Sequence, residues 1–169
     1  GKLKDVCQKL TPALLFTGEQ SVKAELAVQF YTSVFKGSSI VGIIKYGKGE
    51  NEVEGTVKHA QFKLGKHVFM AMDSSLQHQF SFNEAISLVV DCKTQEEIDY
   101  YWANLTKGGS EGQCGWLKDK FGVPWQIVPT ILSKLLGDKD ATKSQKVMQA
   151  MLQMKKIIIA DLVKAAARN

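Results

Sequence analysis

Few side chains in this sequence combine the type and the position that catalysis needs. Cys114 precedes Gly115 and would be a nucleophile if a neighbouring base activated it, but no histidine lies near it in the sequence. Asp73 and Glu84 flank a loop that contains two phenylalanines, and they are candidates for acid or base chemistry. A buried thiol and solvated carboxylates are the commoner roles of such residues, so all three are weak catalytic candidates.

The three histidines do not have the spacing of a metal site. His59, His67 and His78 fit neither the HxH nor the HExxH pattern, in which nearby side chains converge on one ion. We therefore expect no bound metal ion from these residues, and we expect no other cofactor.

Length and composition indicate one ordinary globular domain. The chain has 169 residues, of which 44% are hydrophobic and 23% charged, and this excludes the disordered, collagen-like and disulfide-rich classes. The cysteines at positions 7, 92 and 114 have no CxxC spacing, and their odd number fits reduced thiols in the cytoplasm. The net charge of +5 comes from lysines scattered among acidic residues, and no apolar run is long enough to span a membrane. We expect neither nucleic acid nor a membrane as a partner.

Hydrophobic periodicity predicts a strand, a helix and three strands in the first half of the chain. A short apolar run at residues 10–16 indicates the first strand. Helical spacing follows from Ser21, the predicted N-cap, to Gly37. The three further strands are predicted at residues 40–46, 53–64 and 67–72.

The same order of elements recurs in the second half. A strand at residues 85–90 precedes a helix that begins at Thr94, where Glu97 completes a capping box. Strands are then predicted at residues 113–118 and 124–128. From about Thr130 onwards, three helical patterns form a C-terminal extension.

Residues 115–129, GWLKDKFGVPWQIVP, resemble the PhnB-like family of the vicinal-oxygen-chelate superfamily. That superfamily also contains glyoxalase, bleomycin-resistance proteins and extradiol dioxygenases. Residues 10–16 (LTPALLF) are similar to the family's first strand, residues 30–35 (FYTSVF) to the end of its first helix, and residues 96–102 (EEIDYYW) to its second helix. The resemblance covers residues 9–132.

The resemblance implies an α+β fold built from two βαβββ modules, at about residues 9–73 and 84–129. In this family the modules form a curved, incomplete barrel around a cavity, commonly completed as a homodimer. Residues 133–169 would be a helical extension of the domain.

The resemblance also bears on metal binding. In the metal-dependent members, ligands come from the first, fourth, fifth and eighth strands, and a strand-to-strand match places Pro12, Met70, Ala85 and Gln126 there. Proline and alanine have no ligand atom in their side chains, and the methionine thioether is a soft ligand. A metal-free cavity is therefore expected.

Strand alternation then predicts which residues line that cavity. Gln126 is expected to share a face with Met70 and Met72, and on other strands with Ser87, Val89, Leu14 and Phe16. Gln126 and Ser87 would orient a ligand by hydrogen bonds, and flexible methionines would suit an irregular apolar one. Two alternatives are a packed core, in which Gln126 satisfies a backbone group, and a core or interface role for Trp116 and Trp125. The predicted ligand-binding residues are Phe16, Met70, Met72, Ser87, Trp116 and Gln126.

The predicted function is small-molecule binding of the glyoxalase or bleomycin-resistance type, in a metal-free and largely apolar cavity. The alternatives are a metabolic enzyme of the same fold, such as a lyase, an isomerase or a transferase, and a dimeric interaction protein without a ligand. Some members of the family carry the label 3-demethylubiquinone methyltransferase. A Rossmann-type methyltransferase needs a glycine-rich loop between a strand and a helix. Residues 47–49 (GKG) lie between two predicted strands instead, so the sequence does not support this label.

Overall fold

The computed structural model describes residues 8–167, which divide into two compact units after Ser81. Each unit contains a four-stranded mixed sheet and a helix between its first and second strands. The predicted α+β fold with two βαβββ modules and C-terminal helices is confirmed. Cys7, which the sequence analysis counted among the reduced thiols, lies outside the described residues.

The first unit has the sheet order β1-β4-β3-β2, in which β1 is parallel to β4 and the other pairs are antiparallel. The helix between β1 and β2 packs on this sheet, where Tyr31 stacks on Phe62 with ring centroids 6.4 Å apart. The elements are β1 (Ala13–Phe16), α1 (Ala24–Val34), β2 (Ser39–Lys45), β3 (Val57–Leu64) and β4 (His67–Asp73).

The second unit repeats this arrangement with the sheet order β5-β8-β7-β6, in which β5 is parallel to β8. The core is formed by Ile98 and Leu105 of the helix and by Trp125 and Ile127 of the last strand, all at most 2% exposed. The elements are β5 (Leu88–Cys92), α2 (Gln95–Thr106), β6 (Ser110–Glu111), β7 (Trp116–Lys118), β8 (Pro124–Pro129), α3 (Leu132–Leu136), α4 (Ala141–Leu152) and α5 (Ile159–Ala167).

The two main helices begin in different ways. Thr94 caps α2 as predicted, because its side chain accepts a hydrogen bond from the Glu97 backbone N–H at 3.3 Å. The prediction that Ser21 caps α1 is wrong. That helix begins at Ala24, whose backbone N–H donates to the buried Asp73 carboxylate at 3.0 Å. The cap therefore comes from the end of β4, a position that local sequence spacing cannot indicate.

Some predicted strand boundaries are also wrong. The predicted strand 53–64 begins only at Val57, because residues 53–56 form a turn with Gly55 at a φ of 84°. The predicted strand 85–90 is observed at Leu88–Cys92, and the short strand β6 had no clear apolar pattern. Turns that interrupt an apolar run do not change its periodicity, so the run alone places strand ends poorly.

The C-terminal extension has a small core of its own and is joined to the rest of the second unit by hydrogen bonds. Val147, Ile157 and Leu162 are fully buried within a cluster of further apolar side chains from α3, α4 and α5. The backbone N–H groups of Cys114 and Gly115 donate to carbonyls at residues 154 and 155, both at 2.7 Å. The extension is thus held by main-chain hydrogen bonds as well as by apolar contacts.

The positive charge of the chain is concentrated in this extension. Residues 133–169 contain eight basic and three acidic residues, whereas residues 1–132 contain equal numbers of each, so the extension accounts for the net charge of +5. Two of its lysines form ion pairs, Lys155 with Glu111 at 3.6 Å and Lys156 with Asp99 at 2.6 Å. The lysines are thus scattered along the whole chain, but the excess of positive over negative charge lies in the extension. Within residues 8–167, no helix is both long and apolar enough to cross a membrane.

Replacement of Gly115 by alanine should weaken the attachment of the extension. A Cβ atom at this position would lie 2.6 Å from the Ile127 carbonyl oxygen and 3.2 Å from Ile157, at a backbone φ of 84°. We expect Gly115→Ala to lower the free energy of unfolding by about 2–4 kcal/mol, as measured by urea denaturation.

The matched control is Gly122→Ala, because Gly122 has a φ of 83° but no atom within 4 Å of the added Cβ. This variant carries the backbone strain without the steric clash and should lose about 1 kcal/mol. Equal losses in the two variants would contradict the close approach at Gly115.

Candidate functional site

Gln126 lies on the face of the second sheet opposite its buried core. It pairs with Val89 of β5 and with Trp116 of β7, so the three side chains share one face. The adjacent residues Trp125 and Ile127 point to the other face and are 2% and 0% exposed. Alternation along β8 thus assigns Trp125 to the core and Gln126 to the candidate site.

Gln126 is held in place by Ser87. Its side-chain nitrogen donates a hydrogen bond to the Ser87 hydroxyl at 2.8 Å, and both groups are partly buried. Ser87 immediately precedes β5 rather than lying within it, but its hydroxyl reaches the position expected from the sequence. A primary amide has two donor hydrogens and a carbonyl acceptor, so an amide oriented in this way has further capacity to hold a ligand.

A pocket of about 190 Å³ lies beside Trp116 in the same unit. One wall is an ion pair between Lys118 and Glu84 at 2.6 Å, and the hydrogen bond from Lys118 lowers the pKa of the Glu84 carboxyl. Gln126 and Ser87 do not line this pocket, so it differs from the apolar cavity that was predicted. The lining residues are Glu84, Ser110, Glu111, Gly112, Trp116, Leu117 and Lys118.

In the first unit, Met70 and Met72 lie on the sheet face opposite α1. Their partners on the parallel strand β1 are Ala13 and Leu15, which therefore share this face. The other face carries Phe62, which stacks against a tyrosine of the helix. The two methionines thus remain together as predicted, with partners that differ from the predicted ones.

The prediction that Phe16 shares a sheet face with Met70 and Met72 is wrong, because its register on β4 is shifted by one residue. Phe16 pairs with Asp73, and Leu14 pairs with Ala71, so both point toward α1. Phe16 is fully buried there. Because strand side chains alternate, a shift of one residue moves the whole apolar set to the opposite face.

Gln61 is a buried polar residue that the sequence did not single out. It lies on β3, pairs with Met70 and Gly42, and is 3% exposed. Within the part of the chain that the structure describes, its side-chain oxygen is a buried polar atom without a hydrogen-bond partner. The register with Met70 would have placed it on the methionine face, but nothing in the sequence distinguishes this glutamine from a solvated one.

Two of the three weak catalytic candidates, Asp73 and Cys114, contact backbone groups. The two carboxylate oxygens of Asp73 accept hydrogen bonds from the N–H groups of Ala24 and Val57, at 3.0 and 2.9 Å. The Cys114 thiol lies 3.6 Å from the Met151 carbonyl oxygen, in the loop that binds the C-terminal extension. These contacts account for both residues without a reaction.

A serine, a histidine and a glutamate also come together at the end of β4. The Ser74 hydroxyl donates to Glu52 at 2.9 Å and lies 3.1 Å from the His78 ring nitrogen. Since the hydroxyl has one proton and gives it to the carboxylate, His78 is not its base. Hydrogen bonds from Ser75 lower the pKa of the Glu52 carboxyl, which fits a loop anchor rather than a nucleophilic site.

The matched part of the chain identifies its family. Residues 8–128 match the family described as 3-demethylubiquinone-9 3-methyltransferase. The chain belongs to this family. The predicted resemblance to PhnB-like proteins is therefore confirmed, and the matched segment ends before the C-terminal extension begins. A search among curated proteins found no significant match.

The first of three similar solved structures supports this assignment. A putative 3-demethylubiquinone-9 3-methyltransferase, a PhnB protein from Bacillus cereus, is 42% identical over 73% of this chain and 100% of its own, with a TM-score of 0.67. A protein from Staphylococcus aureus is 33% identical over 73% of this chain and 97% of its own, with a TM-score of 0.34. A protein from Pseudomonas aeruginosa, 19% identical over 72% of this chain and 97% of its own with a TM-score of 0.60, shares the fold.

The four positions that the resemblance matched to metal ligands do not form a cluster of metal-binding side chains within residues 8–167. Pro12 precedes β1, and its carbonyl oxygen accepts a hydrogen bond from the Met70 backbone N–H at 2.9 Å. Ala85 is exposed and lies before β5. Among residues 8–167, no three side chains of His, Cys, Asp or Glu come together as metal ligands would. The cross-strand partners of Gln126 and of Met70 are all uncharged residues.

Replacement of Asp73 by alanine tests its structural role. The variant would leave two buried backbone N–H groups without their acceptor, so we expect a loss of about 2–4 kcal/mol in the free energy of unfolding. Glu54→Ala, at an exposed loop position, should change stability by less than about 0.5 kcal/mol. If Asp73→Ala were as stable as this control, Asp73 would again be a candidate for acid or base chemistry.

Cys92 should resist alkylation in the folded protein. Its side chain is fully buried, and this burial, followed by the negative charges of Glu97 and Asp91, raises the pKa of the thiol from 9.0 to about 12. At pH 8 only about one thiol in ten thousand would then be the reactive thiolate. Peptide mapping after iodoacetamide treatment should find Cys92 unmodified in native protein and modified after unfolding in guanidinium.

The same pKa shift has a defined effect on stability. Between about pH 9 and 12 the unfolded chain releases the Cys92 proton while the folded chain keeps it, so this thiol should lower stability as the pH rises through that window. A Cys92→Ser variant should show a weaker decline. Rapid native-state labelling at pH 8 would instead show that the thiol is accessible and ionised.

Proposed function

We propose that this protein binds a small, planar and largely apolar molecule with a polar edge, on the sheet face that carries Gln126. The observation that supports this proposal is the hydrogen bond between Gln126 and Ser87, next to Trp116. It combines an oriented amide with an aromatic ring on one sheet face. The hydrogen bond joins two side chains, whereas a purely structural glutamine was expected to satisfy a backbone group.

The residues around Gln126 suit such a ligand chemically. Trp116 offers an aromatic face that stacks on planar molecules in an offset or edge-on manner. Val89, which pairs with Gln126 on the other side of β8 from Trp116, is 55% exposed and adds apolar surface. Because Ser87 already restricts the Gln126 side chain, binding costs less side-chain entropy than it would with a free glutamine.

The family's description as a methyltransferase makes an enzyme the second candidate. Methyl transfer from a nucleotide-containing donor on a Rossmann-type site uses a glycine-rich connection from a strand to a helix. Here the connections are residues 17–23, with one glycine, and residues 93–94, with none. The chain's own residues therefore favour ligand binding over methyl transfer, and a homodimer in the cytoplasm is the setting that we propose for it.

Thermal unfolding with a panel of planar aromatic amides, phenols and quinones tests ligand binding. A ligand present at about 100 times its dissociation constant should add roughly 2.7 kcal/mol to stability and raise the melting temperature. Gln126→Leu and Ser87→Ala should each reduce this shift, since they remove the oriented amide. Gln149→Leu, at an exposed position on α4, should preserve it.

Different results would favour the other candidates. If no compound changes the melting temperature of a chain that light scattering shows to be dimeric, a dimeric interaction protein becomes the better account. A stoichiometric transition metal in protein purified without chelator, lost in Gln126→Leu, would instead favour a metal-dependent enzyme.

A further inference from the structure

The side-chain oxygen of Gln61 is a buried acceptor that no described group satisfies. Gln61 lies in the middle of β3 and is 3% exposed. Its oxygen stands without a donor among residues 8–167. Buried polar side-chain atoms nearly always have a partner, and an orphan of this kind lowers the stability of the fold.

The cross-strand neighbours of Gln61 do not supply the missing donor. Across the sheet it faces Met70 on β4 and Gly42 on β2. A thioether has no donor hydrogen and a glycine has no side chain, so neither can pair with an amide carbonyl. His59 and Lys63, which share this face of β3, do not donate to the oxygen either. Leucine or methionine would avoid the unmet acceptor, which makes the glutamine costly for folding alone.

We propose that Gln61 is a ligand-binding residue whose carbonyl oxygen accepts a hydrogen bond from the hydroxyl or N–H group of a small, otherwise apolar molecule. The ligand would lie against Met70 and Met72, whose flexible thioether side chains adapt to irregular apolar surfaces. Leu15, the partner of Met72 on β1, extends that apolar surface.

The orphan atom also defines the class of ligand. A carbonyl oxygen attracts donors and repels anions, so phenols, alcohols and amides fit this site, whereas carboxylates and phosphates do not. The inference concerns the first unit and does not require the Gln126 site, so either proposal can fail without the other.

The stability of the ligand-free protein gives the first test. Gln61→Leu removes the unsatisfied oxygen and introduces an apolar side chain of similar size, so the melting temperature should rise by roughly 2–8 °C. Gln126→Leu is the matched control, because it removes an amide that has a partner and should lower the melting temperature. Gln61→Met provides a second variant if leucine does not fit.

Binding is tested with two probes that differ by one donor, 1-naphthol and 1-methoxynaphthalene. In protein labelled with ¹³C at its methionine methyl groups, 1-naphthol should shift the Met70 and Met72 signals and leave that of Met148, which is 40% exposed on α4, unchanged. The methyl ether should bind about tenfold more weakly. In Gln61→Leu the two probes should shift the Met70 and Met72 signals with equal affinity, whereas Gln149→Leu, at an exposed position on α4, should still discriminate between the probes there.

Each opposite result overturns the inference. A melting temperature of Gln61→Leu and Gln61→Met at or below that of the unmodified chain would show that the oxygen is satisfied in solution. Equal affinity of the two probes for the unmodified chain, or no shift of Met70 and Met72 at the solubility limit of 1-naphthol, would show that Gln61 does not select a hydrogen-bond donor.

Discussion

The alternation of strand side chains is the constraint on which both sheets depend. In each unit one face of the sheet packs on a helix, so every second residue of a strand belongs to that core. Phe62 and Trp125 occupy core positions, and the residues next to them, Gln61 and Gln126, necessarily point the other way. The polar candidates for ligand binding therefore arise from the same register that builds the core.

Two buried carboxylates stabilise the connections between these elements. Asp73 joins the start of α1 to the start of β3. Asp119, in the second unit, accepts hydrogen bonds from the backbone of Phe121 and Val123 and from the Trp125 indole, all within 3.1 Å. Charged acceptors make strong hydrogen bonds to N–H donors, which offsets the cost of their burial. Asp73 and Asp119 thus hold backbone groups in place, while Gln61 and Gln126, the two proposed ligand-orienting residues, are neutral amides.

The C-terminal extension lies outside the part of the chain that matches the family. It carries the net positive charge of the chain and is attached at Cys114 and Gly115, next to the β7 strand that holds Trp116. Its core of Val147, Ile157 and Leu162 lies within the extension, and the hydrogen bonds at residues 114 and 115 join it to the rest of the second unit. A disturbance of this attachment would therefore reach the strand that flanks Gln126, since Ile127 donates its N–H to the Gly115 carbonyl.

The sequence by itself determined the order of the elements apart from β6, the α2 cap at Thr94 and the membership of the PhnB-like family, because these depend on periodicity, local spacing and similarity. It also singled out Gln126 and Ser87. Only the tertiary structure decided that Asp73 caps α1, that Phe16 faces the helix and that Gln61 has no partner. Each of these depends on residues distant in the chain, or on a strand register that one residue can reverse, and local sequence patterns contain neither kind of information.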